Sequence, residues 1–104
     1  MIKDDPRVEE IRAVTKIYED FPKKGVNFLD IFPIVANTRA LSLVTEIFIE
    51  RLENQFVEYD KIFMLESRGF LFGVPLSQKT GKPCYPIRKK GKLPGECLGV
   101  GYGL

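Results

Sequence analysis

Asp60-Lys61-Ile62-Phe63-Met64-Leu65-Glu66-Ser67-Arg68-Gly69-Phe70-Leu71-Phe72-Gly73 is the stretch on which the fold turns. Ile62 to Leu65 is a short apolar run with the β-branched and aromatic character of a strand buried on both faces. Charge and glycine follow at once in Glu66-Ser67-Arg68-Gly69. Phe70 to Leu76 then resumes an apolar pattern that ends near Gln78-Lys79-Thr80-Gly81, which predicts a helix closed by a C-terminal glycine. Strand, polar turn and helix together point backbone N–H groups and a positive helix end at an anion. Arg68 adds a planar, permanently charged fork suited to phosphate. An ordinary βα connection in which Arg68 pairs with Glu66 fits these residues equally.

Downstream, Lys82-Pro83 opens a second strand, Cys84-Tyr85-Pro86-Ile87, and the order strand, helix, strand predicts two parallel neighbours joined by a right-handed crossover. This strand also ends in charge. Arg88-Lys89-Lys90-Gly91-Lys92-Leu93-Pro94-Gly95 reads as a mobile basic loop at the strand's carboxyl end. In open α/β sheets, ligands bind outside the carboxyl ends of the strands. Two cationic loops delivered to one edge favour a polyanionic small ligand. A basic surface for nucleic acid competes less well, because interleaved aromatic residues and a wider basic face are missing.

Upstream, Asn37 or Thr38 begins a helix in which Leu41, Val44, Ile47, Phe48 and Leu52 share one face, while Arg39, Thr45, Glu46, Glu50, Arg51 and Glu53 take the other. Asn54-Gln55 ends it, giving a surface helix that covers the sheet. Before it, Glu19 to Pro33 is punctuated by Pro22, Gly25 and Pro33 yet rich in Phe21, Val26, Phe28, Leu29, Ile31 and Phe32. A loop so apolar either packs onto the body or lines a pocket, where its backbone supplies hydrogen bonds to a planar ligand and its rings supply walls. At the start, Asp4 or Asp5 caps a helix with Pro6 in its first turn. Val8, Ile11, Val14 and then Ile17 fall at helical spacing, with Lys3, Arg7, Glu9, Glu10 and Arg12 as a solvated face.

The chain has 104 residues, a length that fits one domain. Its 44% hydrophobic and 29% charged content are those of an ordinary globular sequence. A net charge of +2 is too small to argue for nucleic acid or a membrane surface, so any basicity that matters is local. Two cysteines, Cys84 and Cys97, and no histidine argue against a Cys/His zinc site and exclude Ser-His-Asp or Cys-His catalysis within this sequence. Met1-Ile2 leads directly into Lys3-Asp4-Asp5, which is no signal peptide, and no apolar run reaches the ~18 residues of a membrane span. A cytoplasmic setting with free thiols is the expectation. From Glu96 onward, Cys97-Leu98-Gly99-Val100-Gly101-Tyr102-Gly103-Leu104 reads as a third strand beginning, and as a sequence interrupted there.

Three segments, Phe21 to Pro33, Glu66 to Gly73 and Pro86 to Gly95, resemble those of adenine phosphoribosyltransferase in matching order and spacing, and with the helices between them they cover essentially the whole chain. The resemblance implies an α/β fold, part of the type I phosphoribosyltransferase fold, with a parallel sheet flanked by helices and an N-terminal hood segment. It implies a single incomplete domain over residues 1–104, with the hood at about 19–35 and the core from about 37 onward. The implied reaction converts adenine and phosphoribosyl pyrophosphate to AMP and pyrophosphate, the salvage of a purine, with Mg²⁺ carried mainly by the phosphoribosyl pyrophosphate. Glu66, Ser67, Arg68 and Gly69 match the pyrophosphate loop, in which the peptide corresponding to Glu66-Ser67 is cis. Arg88, Lys89 and Lys92 match basic residues around a flexible closing loop, Arg88 at a position that reaches the partner's site in a homodimer. The main chain at Asn27 and Leu29 and the ring of Phe28 match the adenine hood.

Several positions depart from the family pattern. Lys24 stands at a usual proline and Leu29 at a usual arginine. Phe63 and Met64 replace small residues, commonly Ala-Gly, and are expected to crowd the neighbouring strand. The sequence contains neither the glutamate that assists the adenine nitrogen nor the loop that cradles the ribose phosphate, so no catalytic residue and no protein metal ligand is assigned within it. The alternative is a catalytically inactive paralogue acting as a binding or dimerisation module. Nucleic acid and membranes are not among the expected partners.

Overall fold

The computed structural model describes residues 5–101. Its elements in order are α1 (Pro6–Val14), β1 (Lys16–Tyr18), β2 (Phe28–Asp30), α2 (Phe32–Val35), α3 (Thr38–Asn54), β3 (Ile62–Leu65), α4 (Arg68–Thr80) and β4 (Cys84–Ile87). β3 and β4 run parallel, with Ile62 opposite Cys84 and Leu65 opposite Ile87, as the order strand, helix, strand predicts.

α3 is the longest element, and its ends follow from local chemistry. The Asn37 side chain accepts from the Ala40 N–H at 3.0 Å, satisfying one of the amides that a helix start leaves without a partner. Ala40, Leu43 and Ile47 are buried, and Ile34 of α2 joins them in the core. The buried stripe therefore includes Leu43 where the sequence pointed to Phe48, which stays exposed. Thr45, expected on the solvent face, is buried as well. Its hydroxyl donates to the Leu41 carbonyl at 3.1 Å, which removes the cost of hiding it.

α4 starts two residues earlier than its apolar run suggests and ends where Gly81 adopts a left-handed conformation, φ 73°. It packs on β3 through an unusually close pair. A Cβ placed on Gly73 would lie 2.3 Å from Met64 Cγ and 2.5 Å from Met64 Sδ. The large Met64 is thus accommodated by a helix position without a side chain, and it does not crowd the adjacent strand. Phe63 points the other way and packs beside Tyr85 of that strand, ring centroids 5.9 Å apart.

The expectation that β3 is buried on both faces is corrected. Met64 is buried, but Phe63 and Leu65 are 60% and 66% exposed, and Tyr85 and Ile87 of β4 are open on the same face. Side chains alternate along a strand, and only the α4 side is covered among the described residues. Residues 97–101 do not form the expected third strand; Leu98 and Val100 are exposed, and no strand among the described residues offers them a ladder. Tyr102, Gly103 and Leu104 lie outside the described residues, as do Lys3 and Asp4.

The N-terminal region also differs from expectation. Ile17 belongs to β1, which pairs antiparallel with β2, so the segment read as an irregular loop carries one arm of a hairpin and then the short α2. Asp5 caps α1 by accepting from the Arg7 N–H at 2.9 Å. Arg7, read as solvated, reaches Asp5 and Glu50 at 2.7 and 2.5 Å, and Arg39 pairs with Glu10. No residue of α1 is fully buried.

Candidate anion and base site

β3 and β4 end side by side, and their parallel ladder continues one step beyond them when the Glu66 N–H donates to the Ile87 carbonyl at 3.1 Å. From this edge the chain turns directly into α4. The peptide between Glu66 and Ser67 is cis, as the resemblance implies. Ser67 makes no side-chain cap, and the N–H groups of Arg68 and Gly69 have no acceptor among the described residues. The Arg68 side chain is exposed. Free amides at a positive helix end, with an arginine in the first turn, form an arrangement suited to an anion.

Glu66 does not make the pair of an ordinary βα connection, one of the two readings the sequence left open. Its partner is not Arg68 but Arg88, whose Nε donates to Oε2 at 2.7 Å, while the Lys89 N–H donates to Oε1 at 3.1 Å. The Arg88 bond first, and then the Lys89 main-chain bond, hold the Glu66 carboxyl below its usual range. Arg88 Nη1 also donates to the Lys92 carbonyl at 3.4 Å. Glu66, Arg88, Lys89 and Lys92 are therefore brought together beside Ser67, Arg68 and Gly69. The loop they begin is exposed, with Gly91 and Gly95 at φ 86° and 79°.

The second predicted group is built separately. Phe21 follows the hairpin's first strand and precedes a cis peptide to Pro22; its N–H donates to the Val26 carbonyl at 2.9 Å. Gly25 takes φ 88° and donates to Asp20 Oδ1 at 2.8 Å, which closes the turn. The turn stacks Phe21 edge-on against Phe28, centroids 5.2 Å apart. Asn27 and Leu29 are exposed on either side of the half-buried Phe28. No hydrogen bond or ion pair joins this hairpin to residues 66–69 or 88–92 among the described residues. A shallow cavity of about 310 Å³ between Leu52, Tyr59, Lys79 and Lys82 lies near the amino ends of β3 and β4 and contains none of the predicted site residues.

A polar turn between a strand and a helix lies beside a basic loop from the parallel neighbour, and solved phosphoribosyltransferases share this arrangement of the fold. The adenine phosphoribosyltransferase of Saccharomyces cerevisiae, complexed with D-2,5-dideoxy-2,5-imino-altritol 1,6-bisphosphate and adenine, superposes with a TM-score of 0.85 at 40% identity, over 89% of this chain and 56% of that one. The enzyme from Trypanosoma brucei, in complex with AMP, pyrophosphate and ribose-5-phosphate, gives 0.77 at 27% identity, over 91% and 42%. The fold is part of the type I phosphoribosyltransferase fold. In sequence, the chain is 41% identical over 97 residues to the adenine phosphoribosyltransferase of Thermoanaerobacter pseudethanolicus, covering 93% of this chain. The chain is a relative of the adenine phosphoribosyltransferases and spans about half the length, 55%, of the curated relatives it matches. No protein-family model matches it.

Proposed function

We propose that the chain acts in purine salvage, transferring the phosphoribosyl group of phosphoribosyl pyrophosphate to adenine to give AMP and pyrophosphate. The observation that carries this reading is the meeting of two cationic loops at one strand edge, Ser67 to Gly69 from β3 and Arg88 to Lys92 from β4. In this transfer the sugar passes through an oxocarbenium-like state. The bond from its C1 to the pyrophosphate oxygen breaks, the bond to adenine nitrogen forms, and that nitrogen gives up its proton. The demand on the protein at the leaving group is stabilisation of negative charge, which amide dipoles and guanidinium groups supply. Arg68 and the amides at Arg68 and Gly69 take the pyrophosphate from one side, and Arg88, Lys89 and Lys92 from the other. Closure of the exposed 88–95 loop would keep water from the sugar cation.

The hood at about 19–35 supplies the base site, with Phe28 as the aromatic wall and the main chain at Asn27 and Leu29 as hydrogen-bonding groups; the core runs from about 37. Hydrogen bonds from main-chain groups tolerate Leu29 at a usual arginine. Magnesium is implied by the resemblance; among the described residues no three acidic, cysteine or histidine side chains cluster, and Glu66 is held by Arg88. The ion would travel on the phosphates, and no step here depends on a protein ligand for it. Free Cys84 and Cys97 fit a cytoplasmic location, and the resemblance favours a homodimer.

Arg68→Ala tests the reading directly. Loss of a charge-assisted contact to the leaving group is expected to weaken phosphoribosyl pyrophosphate binding by about 30-fold, or ~2 kcal/mol. Unchanged binding and turnover would remove Arg68, and with it the anion site, from the proposal.

A further inference from the structure

We propose that Glu66 is a positioning residue, whose carboxylate fastens Arg88 and the main chain of Lys89 so that the basic loop of β4 and the Ser67–Gly69 turn face the same polyphosphate. This rests on the reading of that edge as the pyrophosphate site. The resemblance places Glu66 in the loop that binds the anion. A carboxylate inside such a site would repel it, and the geometry shows what the carboxylate does instead. Both of its oxygens are committed across the strand edge, Oε2 to Arg88 Nε and Oε1 to the Lys89 N–H, and its side chain is only 20% exposed. The main-chain bond from Glu66 to Ile87 closes the same gap from behind.

The fastening leaves the loop's cations available. Arg88 uses Nε for Glu66 and Nη1 for the Lys92 carbonyl, while Nη2 has no protein acceptor among the described residues. Because Nε is spoken for, the guanidinium plane is fixed in one orientation, which reduces the freedom to be lost when a phosphate arrives. Lys89 is fixed through its backbone, so its ammonium remains free to meet charge.

The proposal predicts a sign that a bystander carboxylate would reverse. Glu66→Gln in the full chain is expected to weaken binding of magnesium pyrophosphate, measured by titration calorimetry, about tenfold. If Glu66 merely shielded Arg88 from the ligand, removing its charge would tighten binding, and the proposal would be wrong. Glu66→Asp, which keeps the charge on a shorter arm, should recover part of the loss; no recovery counts against positioning. In an Arg88→Met background, Glu66→Gln should cost clearly less than in the unaltered chain, since only the Lys89 main-chain bond is then left to lose; a full tenfold loss there would also overturn it. Should Glu66→Gln fail to fold, the Asp variant and Arg88→Met carry the same comparison. Hydrogen exchange at the Lys89 amide, slowed in the unaltered chain and fast in Glu66→Gln, reports the clasp independently of ligand. If the unaltered chain binds no pyrophosphate while that amide is still protected, the site reading fails and the positioning role falls with it, although the clasp is real. An unprotected amide instead removes the clasp itself.

Discussion

The body formed by α3, α4 and β3 buries Ala40, Leu43, Ile47, Gly73 and Met64, whereas α1 reaches α3 through Arg7, Glu46 and Glu50 and through Glu10 and Arg39, and fully buries nothing. These are two kinds of attachment. Burial responds to the shape and volume of side chains and is nearly indifferent to salt and pH. Ion pairs with an exposed partner respond to both and depend little on volume. The difference matters because α1 leads within two residues into β1, and β1 is the strand on which β2 is laid. The two loops at the β3–β4 edge therefore stand on a body set by packing, and the β1–β2 hairpin on a region held in part by charge.

The sharpest way to break the comparison is at Met64 and Gly73. Met64→Ala is expected to cost about 2–5 kcal/mol, the lost burial plus the space left behind. Gly73→Ala alone would push a methyl group into Met64 and should cost about 1–3 kcal/mol, reduced by up to ~1 kcal/mol from alanine's better helix propensity. Combined, the two should couple strongly. Once Met64 is trimmed, the added methyl fills vacated space, and Gly73→Ala becomes neutral or stabilising. Chemical denaturation of the four proteins of this cycle decides it; additive losses would mean that the close pair does not organise the body.

How far the sequence carried the fold divides along the same line. Apolar periodicity located α3, β3, α4 and β4, and the glycine at 81 and the cap at Asn37 marked their ends, because these signals are local and repeat over several residues. β1 and β2 escaped, since strands of three residues are too short to show a period, and Ile17 continued the spacing of α1 well enough to pass for a helix position. Arg7, Glu10, Arg39 and Glu50 were legible as charges but not as partners; which of them meet is decided by how two helices pack, and a solvated face looks the same either way. At the candidate site, one contact was not legible. Glu66 lies beside Arg68 in sequence, which suggests a local pair, but the parallel ladder places residue 88 equally near, and only the register of β3 on β4 reveals it. Likewise, the apolar run of β3 suggested two covered faces when one is covered.

A smaller effect is expected from the charged contact. Arg7→Met keeps most of the side chain's volume and removes its bonds to Asp5 and Glu50. It should lower the melting temperature by less than either core change, and the loss should shrink as salt is raised from low ionic strength toward ~1 M, where screening acts within about 3 Å. Gly73→Ala, measured alongside, should show no such dependence. Equal salt dependence of the two variants would erase the distinction between the regions. Hydrogen exchange at the β1–β2 amides adds spatial detail, since loosening α1 should speed exchange in the hairpin before it reaches β3.

The smallest effect is one of pH, and its sign is fixed by the direction of the shifts. Asp5 is lowered by its bonds from Arg7, Glu50 chiefly by Arg7, and Glu10 by Arg39. A carboxyl with a lowered value in the folded chain contributes stability that is fully present above its unfolded value, near ~4, and is lost as the pH falls through the folded value. Glu66 shifts in the same direction and would blur a measurement on the unaltered chain alone. The comparison is therefore made against a chain carrying Arg7→Met and Arg39→Met, in which Glu66 keeps its partner and only the α1 pairs are gone. The stability difference between the two proteins should be constant from pH 7 down to about 5 and should close below ~4, as the α1 carboxylates take up protons. A gap that persists undiminished to pH 3 would mean that Arg7 and Arg39 hold α1 by the packing of their stems, and that the N-terminal region is attached in the same way as the body.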